Sequence, residues 1–286
     1  MELLAAMRSL DGVAFAADLD RLEVSWRSLD KELASGRVVK ARGGVYYLDG
    51  LDDDLVAAIA LGGKLAGASV LARSGVWLMD ESTKRVHVWV SRRAHLREAP
   101  GRVTLFRDEA WSGDGRLEVS VLHALRHLAV ACRDDSAQEQ LVVAVESALN
   151  KQLIVLDDLG ILARRAPRSA QDVLAFATDS AQSGLESLVR WRLHRIGIPS
   201  EAQVRIEGVG VADLRVGRTL LLELNGKATH DFDDDRERDT ETAIRGYATL
   251  RFSKKGILRR WPRCELAVRN YMHLGLHELP PPSGVT

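Results

Sequence analysis

Along the first fifty residues, the stretches "ELLAAMRSL", "AFAADLDRL" and "SWRSLDKELASG" place apolar side chains three or four positions apart, which is the helical period. "RVVKARGGVYYL" follows with the alternation of a β-ribbon that pivots on "RGG", with Val38, Val45 and Tyr47 as strand residues. Ser25 is an N-cap for the third helix, Trp26, Leu29 and Leu33 fall on one of its faces, and Gly36 stops it. Residues 51 to 110 predict a helix from Leu55 to Leu65, a second around "GASVLARSG", and strands over "RVHVWVS" and "RVTLFRD". From "VSVLHALRHLAVAC" to about Ala177 the pattern is helical, punctuated at "DDS", "DDLG" and "RAPRS".

A fresh unit begins near Ser183. Helix "GLESLVRWRLHRIG", strand "EAQVRIE", turn "GVG", strand "VADLRVG", strand "LLLELNG", an acidic loop, helix "RERDTETAIRGYA" and strand "TLRFS" give the order α-β-β-β-α-β. The expected organisation is therefore α/β and multi-domain. Residues 1–50 form an N-terminal winged helix, 51–177 a mixed α+β and helical connector, and 178–286 an α/β domain.

At 286 residues and 46% hydrophobic content the chain has material for more than one core. Its 40 basic and 40 acidic residues cancel, so only the local placement of charge informs about partners. Cys132 and Cys264 are far apart with no CxxC spacing, which supports neither a zinc ribbon nor a disulfide framework and fits a reducing cytoplasm. The N-terminal "MELLAAMRSLDG" lacks a basic leader, and no apolar run reaches the length of a membrane span, so neither a signal peptide nor a membrane partner is expected.

Arg37, Lys40 and Arg42 make the predicted hairpin positive, which suits contacts to a DNA backbone; a solvated hairpin on a three-helix cap is the plainer alternative. His123 and His127 stand four apart on a predicted helix, as metal-binding pairs do, but no Glu follows His123 and no third ligand is close in sequence. The expectation there is two histidines at the edge of an amphipathic helix.

The acids inside apolar strands carry the stronger signal. Asp213 opens one strand, "VGRT" returns the chain, and Glu223 near the end of the next can come level with it. Two carboxylates so close repel unless a cation lies between them, and hard oxygen ligands favour Mg²⁺ or Mn²⁺. An exposed face of a half-solvated hairpin is the alternative for these two residues. "GVGVAD" lacks the third glycine and following helix of a dinucleotide site. "DFDDDRERDTET" has Arg236 and Thr242 where a calcium loop needs Gly and Glu.

The α-β-β-β-α-β unit resembles the restriction-endonuclease-like PD-(D/E)xK core. In it "SGLES", "AQVRI", "VADLRVG", "LLLELNGKATH", "RERD" and "GYATLRFS" follow the order of a domain family similar to very-short-patch-repair (Vsr) endonucleases, over about residues 180–270. Glu186, Asp213, Glu223, Gly226, His230, Arg238, Asp239 and Arg251 match that pattern. "RVVKARGGVYYL" is similar to the winged helix of AbiEi-type antitoxins, which is commonly fused to such nuclease-like domains.

The resemblance implies a metal-dependent DNA endonuclease. Asp213 and Glu223 would hold the metal and Glu186 would complete or orient its shell. His230 would position water or transfer a proton, and Arg238 and Arg251 would hold phosphate. Asn225 departs from the pattern, because the family has Asp there and classical members of the superfamily have Lys. An amide positions water or binds a cation without carrying charge, and Lys227, two residues on, is a candidate to reach back. The departure keeps a rival in view, an antitoxin-like DNA-binding regulator whose nuclease fold has lost activity; an RNA or nucleotide phosphodiesterase is a third reading. DNA is the expected partner, its strandedness open, as is a homodimer or protein partner.

Overall fold

The computed structural model describes residues 3–79, 84–94, 101–225 and 232–279, with the backbone alone at Asn225 and at 232–237. The fold is mixed α/β, with thirteen helices and ten strands in three small sheets among the described residues. The chain divides into two compact units, Met1–Gly75 with Met79–Leu128, and Val76–Leu78 with Ala129–Thr286. The segment 51–177 is thus shared between them, changing units at residues 76, 79 and 129.

The first unit begins α1 (Leu3–Arg8), β1 (Val13–Phe15), α2 (Ala16–Arg21), α3 (Trp26–Ala34), β2 (Val38–Arg42), β3 (Val45–Leu48). Three helices and the hairpin are where the periodicity puts them, but β1 replaces the start of the second predicted helix. It pairs antiparallel with β3, Val13 opposite Tyr47 and Phe15 opposite Val45, giving the sheet order β1-β3-β2. Asp18 holds the strand-to-helix junction by accepting the Phe15 N–H at 2.9 Å, so Phe15 stays extended and the helix starts after it. Leu3, Met7, Ala14, Leu19, Leu29, Val38 and Tyr46 form the core. Ser25 caps α3 through its hydroxyl as expected, yet Trp26, expected on the same face as Leu29, is 55% exposed.

The same unit continues with α4 (Asp53–Ala60), β4 (Lys64–Leu65), α5 (Gly67–Arg73), β5 (Val86–Ser91) and β6 (Val103–Asp108). The helix expected to reach Leu65 ends at Ala60 because the next residues join a sheet: β4 runs antiparallel to β5, which is parallel to β6. Gly63 makes the close approach possible, since a Cβ there would lie 2.2 Å from the Trp89 carbonyl oxygen. Arg116 ties this layer to the N-terminal elements. Its guanidinium donates to the carbonyls of Leu10 and Val13 at 3.0 and 2.7 Å, pairs with Asp18, and lies over the Phe15 ring.

Helix α6 (Val121–Ala131) carries the chain into the second unit. There follow α7 (Asp135–Asn150), α8 (Asp158–Ala163), α9 (Arg168–Phe176), α10 (Gly184–Arg195), β7 (Ser200–Ile206), β8 (Gly210–Val216), β9 (Leu220–Asn225), α11 (Phe232–Ile244), β10 (Ala248–Ser253), α12 (Lys254–Arg259) and α13 (Trp261–His273). The sheet order is β10-β9-β8-β7: β10 is parallel to β9, and the other pairs are antiparallel. Two ion pairs lock α10 onto α7: Arg190 with Glu146 at 2.9 Å, both buried, and Arg192 with Glu139 at 2.6 and 2.7 Å. Glu146 also accepts the Thr178 N–H at 3.0 Å, so its charge is paired and hydrogen-bonded as a buried carboxylate requires. The segment Val76–Leu78 belongs to this unit, where the Trp77 ring packs on Gly184 at the start of α10 and its backbone N–H donates to Ser147 Oγ at 2.8 Å. Cys132 and Cys264 are free and buried. Among the described residues no helix is long and apolar enough to cross a membrane.

Candidate metal and nucleic-acid site

Strand pairing positions the acids of the second unit. Asp213 is at the middle of β8 rather than its start, because the strand extends back to Gly210 against β7. Its pairing with β9 ends at Leu214 opposite Leu222, so Asp213 and Glu223 lie one step beyond the last pair, level with each other. Asp213 is half-buried and its Oδ2 accepts the Leu224 N–H at 2.6 Å. Glu223 is 7% exposed. On its other side β10 places Arg251 directly in register with it.

Glu186 occupies the first turn of α10, whose N-cap is Ser183. Its Oε2 accepts the Gln182 N–H at 3.0 Å and the Gln203 side-chain amide at 2.8 Å. Gln203 had no signal beyond being a polar residue in a strand. It lies between the Ala202–Leu214 and Val204–Ala212 pairs, level with Asp213, and holds φ at +55°, a left-handed conformation that a side chain adopts at a cost.

Burial and mutual repulsion set the electrostatics. Burial pushes the Glu223 carboxyl up to about 7; Arg238 and Arg251 pull it down, and the charges of Asp213 and Asp239 push it further up. Glu186 is also raised, by burial first and by Asp213 in part, against the hydrogen bonds it accepts. Asp213 thus lies in the field of both glutamates. The arginines expected to hold phosphate both have acidic partners: Arg238 meets Glu223 Oε1 at 3.1 Å and donates to the Val211 carbonyl, and Arg251 pairs with Asp239. Glu186, Asp213 and Glu223 do not by themselves form a set of converging donors at metal-binding distance. Asn225 ends β9 opposite Ser253, while Gly226, Lys227 and His230 lie outside the described residues.

In the hairpin, β2 carries an irregularity between Lys40 and Arg42 beside the Gly43–Gly44 turn, and Arg37, Lys40 and Arg42 are all exposed. Arg37 is held by Glu32 at 2.7 Å, and the Arg42 guanidinium lies against Gly62.

His123 and His127 are buried, 0% and 3% exposed, rather than at a helix edge. Asp108, fifteen positions before His123 and at the end of β6, comes between them. Among the described residues these three are the group of His, Cys, Asp or Glu side chains with donor atoms within 4.8 Å of one another. Burial lowers His127. It also acts to lower His123, but the carboxylates of Asp108 and Asp114 outweigh it and raise that imidazole. His87 nearby is lowered to about 4 by burial and by the adjacent His127 and Arg85.

No protein-family model matches the chain, and no curated protein does. Among solved structures it is similar to the RV2827C protein from Mycobacterium tuberculosis, at 18% identity over 66% of this chain and 80% of that one, with a TM-score of 0.36.

Proposed function

We propose that the protein is a metal-dependent DNA endonuclease in which the second unit carries the hydrolytic site and the N-terminal elements bind DNA as a winged helix. The observation that carries this reading is the level placement of Asp213 and Glu223 on adjacent strands, with Glu223 buried and raised to about 7. Two carboxylates level with each other, one buried and one half-buried, repel unless a hard cation lies between them, so Asp213 and Glu223 suit Mg²⁺ or Mn²⁺ with further ligands from outside the pair. When bound, such an ion polarises a phosphate oxygen and lowers the pKa of water. The chain's own residues do the rest. Asp213 and Glu223 hold charge side by side on the two central strands, Glu186 is oriented by Gln182 and Gln203, and Arg238 and Arg251 exchange their acidic partners for phosphate oxygens. The order α1-β1-α2-α3-β2-β3, with a sheet that closes on a basic hairpin, is what a winged helix requires.

A second reading is a non-catalytic antitoxin-like regulator. The Arg238–Glu223 pair favours it, since a guanidinium there already supplies the positive charge a cation would bring, as does the neutral Asn225. Incubation with single-stranded, duplex and mismatched DNA in Mg²⁺, Mn²⁺ or EDTA decides between them. A nuclease cuts at least one substrate with metal and none in EDTA. It loses cleavage in Asp213→Asn, keeps or gains it in Asn225→Asp, and falls roughly 10²-fold or more in His230→Ala with DNA affinity retained. DNA binding without cleavage under every condition leaves the regulator.

A further inference from the structure

We infer that Asp108, His123 and His127 form a second metal site, in the first unit, for a divalent cation with the ligand preferences of zinc. Three observations converge on it. His123 Nδ1 lies 2.9 Å from Asp114 Oδ2, and the Asp114 side chain, 1% exposed, is itself fixed by the backbone N–H groups of Trp111 and Ser120 at 3.0 and 2.9 Å. A carboxylate so placed accepts a hydrogen bond from Nδ1–H and leaves the lone pair of Nε2 facing the other way, the outer-shell arrangement of metal-bound imidazoles.

That lone pair faces Asp108. His123 Nε2 is 3.2 Å from Asp108 Oδ2, and His127 Nε2 is 3.3 Å from the same oxygen. Metal–ligand bonds of about 2.0–2.2 Å in a tetrahedron set donor atoms about 3.3–3.6 Å apart, so two edges of the polyhedron are nearly in place. The other Asp108 oxygen is occupied, accepting the Trp89 indole N–H at 2.5 Å. His123 Nε2 is 3.3 Å from that oxygen as well, so the carboxylate faces this ring with both oxygens, and Oδ2 is the one that also approaches His127.

The second observation concerns His127. It is 3% exposed, and neither of its ring nitrogens has a hydrogen-bond partner in spite of the short approach to Asp108. A proton on His123 would reconcile that ring with Asp108 and still leave the ring nitrogens of His127 unsatisfied in a buried place, which is unfavourable. A cation satisfies both rings and the carboxylate together. Third, the rings are already held: Trp111 stacks on His123 at 4.7 Å and Phe106 on His127 at 4.3 Å, so binding needs little reordering. His87 is not a further ligand through Nδ1, which accepts the Ala68 N–H at 2.9 Å.

Two imidazoles and one carboxylate select a d-block ion over Mg²⁺ or Ca²⁺, which take oxygen ligands. Three protein ligands leave the fourth position to water, and the Asp108 side chain, 32% exposed, is the route by which solvent and ion reach it.

The test uses the full chain carrying Asp213→Asn and Glu223→Gln, so that metal binding in the second unit is silenced, after treatment with EDTA. Titration with Zn²⁺ followed by calorimetry, and with Co²⁺ followed by visible absorption, should show a single site with the spectrum of four-coordinate Co²⁺. His127→Gln and Asp108→Asn should each abolish it. Asp114→Asn should weaken affinity roughly 10- to 100-fold without changing the ligand set, as expected of a positioning residue. If a variant fails to fold, X-ray absorption of the Zn²⁺-loaded parent protein decides: two imidazoles in the first shell support the site. A sulfur scatterer, a shell without imidazole, no binding, or affinity unchanged in a folded His127→Gln protein would overturn it.

Discussion

Asp18 shows how a single side chain holds a junction. It ends the β1–α2 turn by accepting the Phe15 N–H and pairs with Arg116, 98 positions further along the chain. Burial acts to raise its carboxyl, but the Phe15 N–H and the Arg116 guanidinium outweigh it, and the net effect is a pKa below the ordinary 3.8. A carboxyl lowered in the folded state contributes stability that is present above 3.8 and is lost as pH falls through its folded value. Acid unfolding monitored by circular dichroism should therefore steepen below pH 3.8 in the wild type and flatten there in Asp18→Asn. An identical acid limb in the two proteins would remove this role from Asp18. Single residues are also where the sequence was least informative. The spacing of His123 and His127 was visible, but Asp108 reaches them only because β6 ends where α6 packs, and no local pattern reports that. Gln203 was equally hidden, since its strained φ and its hold on Glu186 arise from sheet register.

At the scale of elements, the α-β-β-β-α-β order from residue 183 onward was legible, because helical and alternating periods switch cleanly there and glycine turns separate them. The short strands were not. β1 and β4 have three and two residues, too few for alternation to register, and each was absorbed into a neighbouring predicted helix. What fixes them is pairing with distant strands, β3 and β5. The start of α10 illustrates the reverse, a local signal with a tertiary cause. Gly184 follows the N-cap Ser183, and a Cβ on it would lie 2.1 Å from the Trp77 ring. Gly184→Ala should accordingly cost roughly 1–3 kcal/mol through overpacking, despite the higher helix propensity of alanine. Thermal unfolding checks it, and a raised midpoint would show that the ring moves freely. Because Glu186 is in the same turn, the substitution should also disturb the acidic site more than its distance from Asp213 suggests.

For the whole molecule, the connectivity of the two units matters more than their count. The chain leaves the first unit at Gly75, contributes Val76–Leu78 to the second, returns at Met79, and crosses again after Leu128. The boundaries expected at residues 50 and 177 follow changes in hydrophobic period, which mark where one pattern gives way to another; a three-residue excursion has no period to detect. Its consequence is practical. A fragment of residues 129–286, which looks like a natural module for dissecting the nuclease proposal, lacks Trp77 and the Ser147 bond, and leaves the first turn of α10 uncovered. Such a fragment should unfold about 1–3 kcal/mol more easily than the same unit in the intact chain, the worth of burying one large side chain, and equal denaturant midpoints would contradict this. Domain-swap libraries and truncation series cut at residue 128 would then report lost activity that reflects a missing tryptophan, so a faithful dissection has to begin upstream of residue 76.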